Sequence, residues 1–259
     1  MTEFYNVIIP VVLGLITGSF LNVCIYRLPE NKSIITPRSH CPFCKHTIAW
    51  YDNIPVLSYI FLFGKCRHCN STIPLQYPLV EALTALLMYL ISINFPPLVT
   101  AGFWVYSAFV SSLIVITFID LKYYIIPDVI TLPGIPVGIL ASWFLTNTGT
   151  KNSLIGAGVG FFFLLFVAEG YKLLTKKDGM GGGDIKLAGM IGAFTGWDGV
   201  IFSILVGSLT GAVVGSIFLI INKKDSQTPV PFGPFLSFGA VLFLLAGRGW
   251  MNLLMSIRY

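Results

Sequence analysis

The 259-residue chain is 55% hydrophobic and only 10% charged, with a mean hydropathy of +0.82, whereas soluble domains carry about 25% charged residues. That composition excludes a soluble enzyme and indicates a polytopic membrane protein. Its net charge of +5 reads as the usual excess of Lys and Arg on cytoplasmic loops, so no nucleic-acid partner is expected.

The uncharged run between Glu3 and Arg27 is the first span. It has no basic residues before it and ends in Arg27 without a small-residue cleavage site, so it is expected to stay in place and not to be removed as a signal peptide. The run from Glu81 to Asp120 is too long for one helix and is broken at Asn94-Phe-Pro-Pro97, because proline has no amide to donate. Further spans are expected at about 129–146 and 153–174, then between Asp198 and Lys223 and between Asp225 and Arg248. The stretch Leu187 to Trp197 covers only about 17 Å as a helix, and is short or re-entrant. Counted as a span, it brings the total to eight. With the N-terminus outside, all of the 16 Lys and Arg except Lys151, Arg248 and Arg258 then fall on the cytoplasmic side. A seven-span arrangement satisfies the same rule equally well by exchanging Lys223 and Lys224 for Arg248 and Arg258. The expected fold is an all-α polytopic membrane protein of about eight transmembrane helices, with a small zinc-binding cytoplasmic loop domain after the first helix. Its parts are residues 1–28 as first helix, 29–78 as loop domain and 79–259 as membrane core.

The loop domain holds all three histidines and four of the five cysteines. Cys41-Pro-Phe-Cys44 and Cys66-Arg-His-Cys69 form two C-x2-C pairs, a spacing that brings four thiolates around one tetrahedral ion. The flanks repeat as well: Cys44-Lys-His-Thr-Ile48 is echoed by Cys69-Asn-Ser-Thr-Ile73. Four cysteines leave no open position, so zinc here is structural. Disulfides are disfavoured in a cytoplasmic loop. Cys24, inside the first span, is a small packing residue.

Asp120 ends one apolar segment and Asp184 begins another, after the glycines at 179, 181, 182 and 183. An ionisable side chain near the hydrocarbon costs roughly 2.5–3.5 kcal/mol, so an acid kept there is a functional candidate. Two crossings separate the two aspartates, which places both on one face of the membrane. A close pair of carboxyls shares one proton, the arrangement of aspartic proteases. The glycines Gly181 and Gly183 allow a substrate backbone to approach Asp184. Asp128 shares the short loop after Asp120 and is read as a helix cap, with Asp198 as an external loop residue. A transporter relaying protons through Asp120 and Asp184 is the reading from a different class.

Taken together, Gly18-Ser-Phe-Leu-Asn-Val23 with Tyr26-Arg-Leu-Pro29, the double C-x2-C, Asp52-Asn-Ile-Pro-Val-Leu-Ser-Tyr59, Asp120 with Ile126-Pro-Asp128, and Gly181-Gly-Gly-Asp184-Ile-Lys186 resemble the type IV prepilin peptidases, intramembrane aspartyl proteases of the GxGD class. The resemblance covers nearly the whole chain. It implies cleavage of the leader from type IV prepilins or type II secretion pseudopilins at the cytoplasmic face of the bacterial inner membrane. Asp120 and Asp184 would be the catalytic pair, with Asp128, Gly181, Gly183 and Lys186 supporting the loop. In the complete forms it also implies methylation of the new N-terminal residue by S-adenosylmethionine. The presence of the cysteine-bearing loop favours that bifunctional form over a peptidase alone. Asp52, Asn53, Gly64 and Glu81 match family motifs in or beside the loop and are the candidates for methyl transfer or for receiving the substrate N-terminus. Glu81, just inside a span, is expected to pair with Arg or Lys or to receive an amine.

Overall fold

The computed structural model describes residues 2–96, 100–145, 148–177, 179–221 and 230–247. Among them the chain is helical, without strands. It forms two compact units, Met1–Val115 and Ile116–Tyr259.

In the first unit, helix α1 (Thr2–Arg27) leads into the loop domain, which contains the short helix α2 (Leu57–Phe61), and the chain returns through α3 (Gln76–Asn94). The α1–α3 contact is built on glycine. A methyl group on Gly14 would lie 2.4 Å from Ala85 Cα, and one on Gly18 would lie 2.6 Å from Glu81 Cα. Small residues one turn apart let two apolar helices gain dispersion contact where lipid offers no hydrophobic drive. Asn22 Nδ2 adds a bond to the Tyr77 carbonyl at 3.0 Å. Helix α3 stops at Asn94, as the prolines require, and α4 (Ala101–Tyr123) follows.

The second unit contains the end of α4, α5 (Asp128–Ala141), α6 (Thr150–Thr175), α7 (Gly182–Ile221) and α8 (Gly233–Leu242), which runs on as a π-helical turn over Phe243–Gly247. Helix α7 is broken at Gly196, whose φ of 84° is costly for any side-chain-bearing residue. Its first arm, before Gly196, contains the stretch expected to be short, and at about 21 Å does not match a core of about 30 Å. Asp198 lies in helix just beyond the break, not in a loop, because the chain turns on a single glycine there.

At the crossing of α6 and α7 the two backbones touch. A methyl group on Gly192 would lie 2.0 Å from the Gly156 carbonyl oxygen, and one on Gly160 would lie 2.3 Å from that of Ala188. Ser153 Oγ donates to the Ala193 carbonyl at 2.6 Å. This crossing fixes the arm that carries Asp184.

Helices α1, α3, α4, α6 and α7 are long and apolar enough to cross a membrane, while α5 and α8 are shorter. With α7 counted as two arms, these are the eight apolar segments expected. Asp178, Lys223, Lys224, Arg248 and Arg258 lie outside the described residues, as does the choice between seven and eight crossings that turns on them.

Candidate active site and metal centre

Asp120 sits in the last turn of α4 and Asp184 in the first turn of α7, both buried. Asp120 Oδ2 accepts a hydrogen bond from the backbone N–H of Gly233 at 3.0 Å. That amide belongs to the start of α8, where amides have no acceptor within their own helix and favour a negative charge. The backbone of Asp184 donates to the Gly181 carbonyl at 3.1 Å, which tightens the glycine turn. Asp184 Oδ1 is buried and receives no hydrogen bond from the described chain, an unpaired acceptor of the kind that is costly to bury without a function.

Ile126 packs between the surroundings of the two carboxyls. A methyl group on Gly183 would lie 2.8 Å from Ile126 Cβ, and one on Gly233 would lie 2.7 Å from Asp120 Oδ2 and 3.0 Å from Ile126 Cδ1. Glycine is needed at both places for lack of room. At Gly181 an added methyl would lie 3.3 Å from Asp184 Oδ2. Asp128 does not cap α5: the capping position is Pro127, with no side-chain bond, and Asp128 is the first residue of the helix. Its carboxylate instead accepts both bonds of Lys186 Nζ at 2.8 Å, joining the start of α5 to α7. Gly233 is absent from the motifs read in the sequence, and Ile126 enters there only as part of Ile126-Pro-Asp128, without its packing against Gly183 and Gly233. Gly233-Pro234 was a readable helix start, but no local pattern assigns its amide to a residue 113 positions earlier.

In the loop domain, Cys41, Cys44, Cys66 and Cys69 place all four Sγ atoms within 4.8 Å of one another. Four sulfurs about 2.3 Å from one tetrahedral zinc lie about 3.8 Å apart, and Cys41 and Cys69 are 3.8 Å apart. The donor set therefore fits zinc, and all four cysteines are free thiols. The two knuckles match bond for bond. Cys41 N–H donates to His46 and Lys45 N–H to Cys41, while Cys66 N–H donates to Ser71 and Asn70 N–H to Cys66, each at 2.8–2.9 Å. Lys45 and Asn70 take the same positive φ, at 60° and 55°. The His46 and His68 rings lie together, 3.6 Å between centroids. Burial alone would raise the Cys41 thiol, but the amides of Cys44 and Phe43 and the Ser71 hydroxyl bring it down to about 6, favouring the thiolate a metal requires.

Of the methyl-transfer candidates, Asp52 is bound by Arg67, whose Nε approaches its carboxylate at 2.8 Å. The Arg67 hydrogen bond, opposed by partial burial, holds the Asp52 carboxyl below its ordinary value. Asn53 closes a 3₁₀ turn, Trp50–Asn53. Gly64, at φ 66°, turns beneath the Tyr59 ring. Glu81 is buried and, among the described residues, pairs with neither Arg nor Lys: its Oε2 accepts the Val56 N–H at 2.7 Å, and the Ser19 side chain approaches it. Val56 has a φ of 61° and ψ of −48°, a conformation that costs a β-branched residue about 1–3 kcal/mol and persists only when neighbours hold it. Asp52 and Gly64 already serve contacts within the loop, and Glu81 ties α3 to it. Together they form no cradle for a methyl donor among the described residues.

Comparison with known proteins agrees with this geometry. A family model for the bacterial peptidase A24 N-terminal domain matches residues 12–95, and one for the type IV leader peptidase family matches residues 107–216. A Pseudomonas aeruginosa protein named prepilin leader peptidase/N-methyltransferase is 36% identical over 264 residues, covering 93% of this chain and 90% of its own. Proteins of the same name from Aeromonas salmonicida and Myxococcus xanthus are 36% and 41% identical, over 90% and 82% of this chain and 88% and 63% of their own. No solved structure matches. With two buried aspartates in the second unit, a four-cysteine centre in the first and relatives aligned over nearly the full length, the chain belongs to the type IV leader peptidase family.

Proposed function

We propose that this protein is a membrane aspartyl endopeptidase that removes the leader of type IV prepilins or type II secretion pseudopilins, and that it also N-methylates the new N-terminal residue with S-adenosylmethionine. The observation that carries the peptidase reading is the placement of two buried carboxyls at the end of α4 and the start of α7, one held by the Gly233 amide and the other with a buried oxygen that has no hydrogen-bond partner among the described residues. Asp120 and Asp184 act as a pair sharing one proton. The ionised carboxylate takes a proton from water as the water attacks the scissile carbonyl, and the protonated partner gives its proton to the carbonyl oxygen; as the tetrahedral diol collapses, the first carboxyl passes the proton taken from water to the leaving amine and the partner regains its own from a diol hydroxyl. Gly181 and Gly183 keep the approach to Asp184 narrow in side chains and open to a peptide backbone. The Asp128–Lys186 pair steadies the ends of α5 and α7.

Methyl transfer is assigned to the loop domain, residues 29–78, and cleavage to the core, residues 79–259. Cys41, Cys44, Cys66 and Cys69 would hold zinc, which supplies folding energy and no chemistry of its own. Asp52, Asn53, Gly64 and Glu81 shape the loop that serves the methyl donor. The protein resides in the bacterial inner membrane with its site on the cytoplasmic side.

Purified protein incubated with a prepilin and labelled S-adenosylmethionine tests the whole reading. Cleavage with label incorporation is expected. Cleavage alone would reduce it to a peptidase, and neither would favour transport. Asp120→Asn and Asp184→Asn are each expected to abolish cleavage without loss of membrane insertion, and Asp128→Asn to leave part of it. Full activity in Asp184→Asn would overturn the mechanism.

A further inference from the structure

The loop domain contains a turn whose amphipathic pattern is reversed. In α2 the polar Ser58 is buried, while Leu57, Ile60 and Phe61 are turned outward, Phe61 with 76% of its surface exposed. Positions 57, 60 and 61 share one face of a helix. Ser58 faces inward because it works as a staple: its hydroxyl donates to the Tyr51 carbonyl and accepts from the Ile54 amide, both at 3.0 Å. That staple gathers further outward apolar residues, Ile54 and, next to Tyr51, Trp50 at 81% exposure. Phe63, at 88%, follows the turn directly. A domain surrounded by water has no reason to bury a serine and expose this group.

The depth of the turn is set by Glu81. Its carboxylate holds the Val56 amide, immediately before α2, at 2.7 Å. Glu81 is the sixth residue of α3, about 7 Å along a helix of 1.5 Å rise. The turn is therefore level with the second turn of a membrane-crossing helix, not beyond its end. Around it, residues 29–78 carry Lys32, Arg38, Lys45, Lys65 and Arg67 against Glu30 and Asp52, a basic excess that suits anionic headgroups. Tryptophan, tyrosine and basic residues at this level are the composition of the membrane interface.

We infer that α2, with Trp50, Ile54 and Phe63, is an interfacial anchor that inserts into the headgroup boundary of the bilayer entered by α1 and α3. It lays the four-cysteine loop down on the membrane surface. The strained Val56 backbone and its tie to Glu81 hold the anchor at that depth, and the loop domain is an interfacial module, not one suspended in the cytoplasm.

The test uses the full chain reconstituted in vesicles of phosphatidylcholine and phosphatidylglycerol. Phe61→Trp places a reporter on the outward face, and subtracting the wild-type emission isolates it. If Phe61→Trp does not accumulate, loss of signal in Trp50→Phe reports Trp50 by the same subtraction. The expected result is quenching by lipids brominated near the glycerol end of the acyl chain that is severalfold stronger than quenching by aqueous iodide. Strong iodide quenching with no effect of brominated lipid would overturn the proposal. So would a reporter that becomes shielded only when a prepilin is added, which would assign the face to the substrate, or only as protein density in the vesicles rises, which would assign it to a second copy. The readout requires neither cleavage nor methylation.

Discussion

A single backbone amide, that of Gly233, supports Asp120, one half of the proposed catalytic pair. Gly233 must remain glycine because a methyl group there would lie 2.7 Å from Asp120 Oδ2. Gly233→Ala is expected to displace the carboxyl while leaving its chemistry intact, lowering the cleavage rate on the order of a hundredfold, as misplacement near 1 Å does. A prepilin cleavage time course on protein matched for membrane content checks this, and an unchanged rate would remove Gly233 from the site. The same residue shows what could be read in advance. Asp120, Asp184 and the four cysteines were legible because each is chemically out of place in its surroundings: charge beside hydrocarbon, thiols in a paired spacing. Gly233 and Ile126 were not, since their roles are contacts across long stretches of chain. Val56 was hidden for another reason, because an ordinary apolar residue gives no sign that its backbone is strained.

At the scale of elements, the loop is held by the two knuckles and by the Asp52–Arg67 pair. The Asp52 carboxyl sits below its ordinary value because Arg67 binds its charged form. A depressed folded value contributes stability that is complete above the ordinary carboxylate value of about 3.9 and is lost as pH falls through the folded one. Hydrogen-exchange protection across residues 50–58, taken relative to the intrinsic amide rate at each pH, is therefore expected to fall on acidification below about 4, and Asp52→Asn to show that lower protection already at neutral pH. Equal protection in both proteins at neutral pH would show that the pair does not order this segment. The helices were legible from their uncharged runs and the Asn94–Pro97 break, and the break in α7 was half visible in the short stretch before Trp197. The exact turning point was not, since Gly196 is one of 26 glycines and nothing local distinguishes it.

Across the whole molecule, Asp120, Asp184 and Gly233 all belong to the unit from Ile116 onward, and the four cysteines to the unit before it. Metal removal should therefore separate the two activities. Stripping the protein with a chelator, or replacing Cys41 by serine, is expected to release zinc and to remove about 10 kcal/mol or more of apparent folding free energy from the loop. Methylation is expected to fall at least as far as cleavage, with both products quantified from one digest by mass spectrometry. Wild-type protein that contains no zinc on elemental analysis would refute the metal centre. The division between units was only partly legible, because composition marks the polar loop but does not tell which helices pack with it.

Where α6 crosses α7, Gly156 faces Gly192 with no space for even a methyl group, and the consequence concerns tolerance to mutation. In a saturation library scored for prepilin processing, these two positions and Gly160 should accept almost no replacement, because each meets the backbone of the facing helix. Lipid-facing neighbours such as Phe162 and Phe166 should accept most apolar ones. A map of such intolerance would trace a stripe along the interior of the helix pair, and catalytic competence would be read there as a matter of backbone clearance.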